Sequence, residues 1–400
     1  MKTLWSNKMQ KFSAYDYLLI DIANTAGYDK ANYNDRIQWT RDHFDTLESE
    51  SDGFLFQKAV HALREVHKGN AINHPVMFDA VGSGVQILSA VSGDINGATL
   101  TGLINTGKRP DPYTSLYEAM KLRLGTDDAV PREKLKEAIM TSYYGSRAKP
   151  REIFGDGIEL DVFYQTMLAE TPHAFAMIDI LKDTWNPTAT EHCWTMPDGF
   201  EVKVPVLDTE IKRLEIDELD HHQMSAEFKA RTTKYKSVAN IANVIQSIDA
   251  WVCRSMFRMC SGTYDLEYLQ GVLDIGLGNN PCPKLEKLID IAERTKILDI
   301  SVLNHINEGN VDLLPEWMRE SAKELVKHLS SYKPFQIITN HDSFGALPCN
   351  MNTVRSNYNA LLNSLSMGNI LQQILTDLYA EPVEFIKESF SSLDANYAIC

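Results

Sequence analysis

The chain has no C-x-x-C pair among its six cysteines, no run of 18 apolar residues, no internal repeat and no low-complexity tract. The missing cysteine pairs argue against a zinc site and against a disulfide framework, so a reducing compartment is expected. Cys253 and Cys260, seven apart beside Trp251, Met256 and Phe257, read as core residues. Without a long apolar run no membrane-spanning helix is expected, and Met1-Lys2-Thr3-Leu4 opens no signal peptide; a soluble, intracellular protein is predicted. Positive charge is scarce as well, since 39 Lys and Arg against 54 Asp and Glu leave a net charge of −15. Such acidity is unusual for a nucleic-acid binder but does not exclude one, because cations can line a cleft while acids cover the outside. Local basic runs stand at 147–151 and 231–236, and the surplus of acid predicts a partner that supplies some phosphate contacts. His221-His222 lies among acids with no second ligand pair and reads as a solvated loop. With 44% hydrophobic content, 400 residues can bury one large core or two lobes.

What is present is carried by three segments. In the first, the β-type run 335–339 leads into His341-Asp342-Ser343-Phe344-Gly345 and a returning apolar stretch closed by Pro348. A strand, a tight turn and a second strand put one carboxylate at the apex of a hairpin. Paired with a second carboxylate on a neighbouring strand, it could hold Mg²⁺ for phosphoryl transfer; alone it is equally an ordinary turn. In the second segment, Pro75-Val76-Met77-Phe78-Asp79 reads as a strand running into an acid, followed by Ala80-Val81-Gly82-Ser83-Gly84 and an apolar helix start. Small residues there allow close backbone approach and helix N–H groups face an anion, although the acid could equally just cap the helix. The third segment, 131–146, reads as a helix beginning near Pro131, with Asp127 or Asp128 upstream, and ending at Gly145. Arg132 and Lys136 share a face by their i, i+4 spacing and Tyr144 lies further round it, so cations and an aromatic could meet a triphosphate; a solvated Lys/Glu helix is the competing reading.

In this order the three segments resemble the single-subunit DNA-directed RNA polymerases of bacteriophages and mitochondria. Asp79, Ser83, Gly84 and Gln86 are similar to the first aspartate motif of that family; Arg132, Lys136, Tyr144, Gly145 and Ser146 resemble its fingers helix; and His341 to Gly345 resemble the second aspartate motif without a change. Ala23 to Lys30, Trp194 to Phe200, and Asn243 with Ser247-Ile248-Asp249 add weaker likeness, the last to a segment lying against the template–product duplex. The resemblance implies an α-rich α+β fold, a right-hand polymerase palm and fingers with a small antiparallel palm sheet. It implies a palm over 1–107 and 247–400 and fingers over 108–246 with a promoter-type hairpin near 203–232; within the second palm part, spacing beyond the family's reads as an insertion at about 260–328, where periodicity predicts helices near 284–293 and 315–329. The implied reaction is DNA-templated addition of ribonucleotides to an RNA 3′ end. Two Mg²⁺ ions would be held by Asp79 and Asp342 with the Ala80 carbonyl, Arg132 and Lys136 would neutralise the triphosphate, Tyr144 with Gly145 would form the insertion site, and His341 would support the nucleotide. Ser83, Gln86, Asn243 and Gln246 are the implied nucleic-acid contacts; Gln246 stands where the family usually has His.

Two departures shape the remaining expectations. The 93 positions from Asp249 to Asp342 are far more than the family norm. The Asp/Thr-x-x-Gly-Arg element and the thumb are also missing, so the chain reads as the larger, catalytic half of a split, heterodimeric phage enzyme, acting in the cytoplasm of an infected bacterial host. Its implied partners are a smaller subunit carrying those parts, DNA template, RNA product, ribonucleoside triphosphates, and accessory factors that open DNA or bind single strands, with no membrane. A DNA polymerase of the related hand and a non-catalytic scaffold subunit of a transcription complex are the alternatives.

Overall fold

A computed structural model describes residues 8–125, 131–230 and 237–400. Asp127, Asp128 and the basic run 231–236 therefore lie outside the described residues. The body is helical around a small antiparallel sheet ordered β1 (Val76–Asp79), β7 (Ser343–Ala346) and β6 (Ile338–Asn340). Phe78 stands opposite Phe344 and Asp79 opposite Ser343. Opposed residues share a face, so Val76, Phe78, Phe344 and Ala346 all turn inward and are buried. Phe78 meets the ring of Tyr17 from the helix Ala14–Thr25, and Phe344 meets Tyr358 from the helix Met351–Met367.

The expected strand 335–339 is shorter than its sequence suggests, because the Phe335 N–H is used at 2.8 Å by the Cys260 carbonyl at the end of a helix. The expected helix 131–146 spans Arg132–Tyr143.

The helix Ser83–Ser92 is the hub. Gly84 to Ser92 are all buried, as an all-round apolar and small-residue sequence requires. It packs on the helices Pro172–Asp183, Ala239–Ser261 and Met351–Met367. The 23-residue helix Ala239–Ser261 buries Ile241, Val244, Ile245, Ile248, Trp251 and Val252, an apolar stripe at helical spacing.

Beyond it, the helices Leu266–Ile275, Pro283–Thr295 and Glu316–Leu329 occupy the stretch expected as an insertion. Their apolar residues Leu269, Leu285, Met318 and Val326 belong to the same hydrophobic core as the sheet, so this stretch is built into the body and not appended to it.

Two further hairpins follow in chain order. β2 (Glu191–Thr195) pairs with β3 (Glu201–Pro205), and β4 (Asp208–Ile216) pairs with β5 (His222–Ala230). The second lies within the expected hairpin near 203–232. No helix among the described residues is long and apolar enough to cross a membrane.

Candidate catalytic site

Asp79 is the last residue of β1, and Asp342 sits in the two-residue turn between β6 and β7. Strand register decides that the two meet. Asp79 pairs across to Ser343, and the next N–H along, that of Ala80, donates to the Asp342 carbonyl at 3.1 Å. Both acids therefore stand at one end of the sheet. The turn is shaped by His341, whose φ of 55° is left-handed, and His341 is exposed at its tip. On the other side of Asp79 the chain turns through Gly82, also left-handed at φ 71°, into the hub helix. The Ala80 carbonyl accepts from the Gly82 N–H at 2.9 Å within this turn.

A third strip closes the arrangement, and the sequence had not pointed to it. Cys400 N–H donates to the Asp79 carbonyl at 3.0 Å, Val81 N–H donates to the Ala398 carbonyl at 3.2 Å, and Ala80 bridges Ile399 in antiparallel fashion.

Asp79 and Asp342 open onto a cavity of about 440 Å³, within the size range of small-molecule sites. Its walls include Lys136, Tyr144 and Tyr113 from one side and Lys30 and Arg109 from another. Lys136 Nζ lies 5.4 Å from the Tyr113 ring centroid. Tyr144 follows the helix Arg132–Tyr143; its hydroxyl hydrogen-bonds Ser83, and its ring lies so close to Gly84 that a Cβ there would meet it at 3.2 Å. Gly145, at φ 86°, then lets the chain pass beneath Ile241, whose Cδ1 would be 2.5 Å from a Cβ. Arg147 in the basic run 147–151 lies over the Tyr164 ring and does not line this cavity.

Negative charge is concentrated here. Asp249, half-buried on the helix Ala239–Ser261, has its carboxyl pushed up to about 6, first by burial and then by the charge of Asp342, with His341 acting in the opposite direction. Burial, followed by the charge of Asp342, pushes the Tyr113 hydroxyl up to about 12. Asp79 and Asp342 line one cavity, carboxylate oxygens are the donors Mg²⁺ prefers, and the negative charge gathered there calls for cations.

Not every expected residue arrives at the cavity. Arg132 does not line it: Nη2 donates to Asp111 at 2.7 Å, Nη1 to Glu133 at 2.9 Å and Nε to Thr114 at 2.8 Å, so its donors are engaged by the fold. Gln86 is a correction. It is wholly buried, donating to the carbonyls of Thr101 and Ala398 and accepting from Tyr358, so it braces the hub helix and cannot reach nucleic acid. Asn243 is half-buried and spends its amide on the Ala239 carbonyl, whereas Gln246, one turn on, is exposed.

Asp249, Tyr113, Lys30 and Arg109 are site residues that sequence reasoning missed. For Asp249 and Lys30 a signal existed, since they close the Ser247-Ile248-Asp249 and Ala23 to Lys30 stretches; Tyr113 and Arg109 carry none beyond ring or charge. Elsewhere Glu215, Asp217 and His221 gather at the tip of the β4–β5 hairpin, all exposed, with His221 Nδ1 2.9 Å from Glu215 and 3.3 Å from Asp217.

No family model matches the sequence. The chain is 29% identical over 257 residues to "DNA-directed RNA polymerase 1, mitochondrial" of Arabidopsis thaliana, an alignment covering 48% of this chain and 26% of that protein. The chain thus matches about a quarter of the length of that relative. This distant similarity to a mitochondrial RNA polymerase agrees with the likeness that the sequence motifs carry.

Proposed function

We propose that this chain catalyses DNA-templated RNA synthesis as the palm-and-fingers part of a phage-type RNA polymerase. The observation that carries the reading is the placement of Asp79 and Asp342 on adjoining ends of one antiparallel sheet, facing a cavity that also presents Lys136 and Tyr144. Asp79 and Asp342 would hold Mg²⁺; when bound, the metal supplies charge neutralisation for the triphosphate and activation of the attacking hydroxyl. Lys136, stacked on Tyr113, offers the mobile cation for phosphate oxygens. Tyr144, pinned by Ser83 and Gly84, offers a rigid aromatic floor for the incoming nucleotide. Exposed Gln246 faces outward where a duplex could lie, and Arg132 acts indirectly by fixing Asp111 and the helix that carries Lys136. The reading needs a thumb and an Asp/Thr-x-x-Gly-Arg element from a further polypeptide segment, in the heterodimeric form from a smaller subunit.

The test is primer extension on single-stranded template with rNTPs and with dNTPs, using the complex that copurifies with this chain. Asp79→Asn and Asp342→Asn are expected to abolish extension while circular dichroism and complex assembly stay unchanged. Near-normal extension by either variant removes that aspartate from the assignment, and a wild-type complex that incorporates no rNTP overturns the reading.

A further inference from the structure

The cations around the cavity of Asp79 and Asp342 are not equally available to an anion. Arg132 does not line it and gives its donors to Asp111, Thr114 and Glu133. Lys30 lines it with its ammonium 2.8 Å from Asp29, and Lys136 lies over the Tyr113 ring. Arg109 differs from all of these. It lines the cavity, its Nη1 donates to the Pro110 carbonyl, and its Nε is buried with no acceptor. Among the described residues no carboxylate pairs with it. A buried donor without an acceptor is unfavourable, so a guanidinium left open at a cavity wall calls for an anion from outside the fold. Its seat is fixed from two sides. The Arg109 N–H donates to Asn32 Oδ1 at 2.8 Å, at the start of the helix Tyr33–Asp42. Two positions further on, Asp111 caps the helix Pro112–Leu124 by accepting from the N–H groups of Tyr113 and Thr114. Asp111 also lines the cavity, yet its carboxylate is held 2.7 Å from Arg132 Nη2.

We propose that Arg109 is the guanidinium that holds the triphosphate of the incoming nucleotide, together with Lys136, and that Arg132, to which the family resemblance gives that role, instead keeps Asp111 from neutralising Arg109. The inference rests on the catalytic reading of the cavity. A guanidinium forks onto two phosphate oxygens, whereas an ammonium acts as a point charge, so Arg109 orients the triphosphate and Lys136 neutralises it. The two stand on different walls, which grips the phosphates from both sides. A backbone phosphate of template or product offers the same chemistry. The cavity shared with Asp79, Asp342 and Lys136 favours the triphosphate, whose oxygens must reach metal and cations together.

The complex that copurifies with this chain is titrated by calorimetry with Mg²⁺-tripolyphosphate, Mg²⁺-GTP and guanosine, and by anisotropy with a labelled template–primer duplex. The forms are wild type, Arg109→Gln, Arg109→Lys, Arg132→Gln, Arg132→Gln with Asp111→Asn, and Arg151→Gln as a control outside the cavity, each checked by circular dichroism and urea midpoint. Arg109→Gln is expected to weaken tripolyphosphate and GTP about tenfold, with guanosine and duplex unchanged, and Arg109→Lys to recover part of the loss. Arg132→Gln should weaken tripolyphosphate by freeing Asp111, and Asp111→Asn, which still caps the helix, should restore it. Tripolyphosphate binding that is equal in wild type and Arg109→Gln, or absent from wild type, overturns the inference. A loss in Arg132→Gln that Asp111→Asn does not restore returns the role to Arg132 and overturns it too. So does a loss of duplex affinity in Arg109→Gln with tripolyphosphate unchanged, which makes Arg109 a nucleic-acid contact. None of these titrations needs turnover: a complex that binds tripolyphosphate through Arg109 yet incorporates no rNTP refutes the catalytic reading and leaves the phosphate site standing.

Discussion

Tyr144 is fixed from two directions, by the Ser83 hydroxyl and by the bare backbone of Gly84 against its ring. If that hydroxyl also senses the 2′-OH of an incoming nucleotide, Tyr144→Phe should keep polymerisation but relax sugar choice. A tenfold fall in rNTP-over-dNTP preference, about 1.4 kcal/mol in relative barrier, is the expected outcome in competition assays. Unchanged preference would move selection to His341 or Gln246.

A second residue-scale prediction concerns Lys387, which places its ammonium against the carbonyls of Ala90 and Leu365, and whose pKa burial lowers to about 7. In the unfolded chain it titrates near the ordinary value of about 10.4. Between these values the unfolded state holds the extra proton, so stability rises with pH through that window and is lost as pH falls towards 7. Urea midpoints should therefore show wild type gaining on Lys387→Met from pH 7 to pH 9.5; a constant difference would show that the ammonium stays charged in the fold.

At this scale Asp79, Lys136, Tyr144 and Asp342 could be picked out of the sequence because each sits in a short local pattern. Gln86 and Arg132 could not be placed correctly, because what occupies them is remote: Ala398 lies 312 positions from Gln86 and Asp111 lies 21 from Arg132.

Among elements, the junction of the helix Arg132–Tyr143 with the helix Ala239–Ser261 is set by Gly145. Its φ of 86° disfavours any side chain, and Ile241 already fills the space a Cβ would enter. Gly145→Ala should cost about 1–3 kcal/mol of stability and displace Tyr144 from Ser83, read as a lower urea midpoint together with a raised KM for nucleotide. A loss of stability with KM untouched would show that Tyr144 is positioned from the Gly84 side alone. The helix 132–143 was legible from Pro131 at its start and Gly145 past its end, and the helices 283–295 and 316–329 because apolar residues recur at helical spacing. The shortening of the strand at 335–339 was not, since its cause is a hydrogen bond to Cys260, 75 positions away in a helix whose end the local pattern does not mark. The role of 260–328 was equally hidden, because periodicity shows that a helix has an apolar face but not what that face meets.

For the molecule as a whole, Arg355 ties distant parts together. It is buried, and donates to the Gln10 carbonyl at 2.8 Å, the Tyr17 hydroxyl at 2.9 Å and the Asn396 carbonyl at 2.9 Å. Its guanidinium also lies 4.9 Å from the Tyr33 ring centroid and 5.7 Å from that of Phe12. Arg355→Met would strand those three acceptors and should lower unfolding free energy by about 2–4 kcal/mol, measured by urea titration. An unchanged midpoint would mean that the cost of dehydrating the guanidinium cancels what it ties. Such long-range stapling explains why overall architecture was less legible than the motifs: the sheet order joins residues 76–79 to 338–346, and only the likeness to a known family suggested that they meet.

The pairing of Ala398–Cys400 with Asp79–Val81 has a consequence in time. On a ribosome adding about 5–20 residues per second, roughly 15–60 s separate Gln86 from Ala398, its eventual hydrogen-bond partner. For much of that interval, until Ser343–Ala346 and Met351–Met367 emerge, the nascent chain displays an unpaired β1 strand and an incompletely covered helix Ser83–Ser92, which exposes it to chaperones. A polypeptide lacking residues 398–400 would keep every recognisable motif and lose the backbone hydrogen bonds that hold Asp79 and Val81.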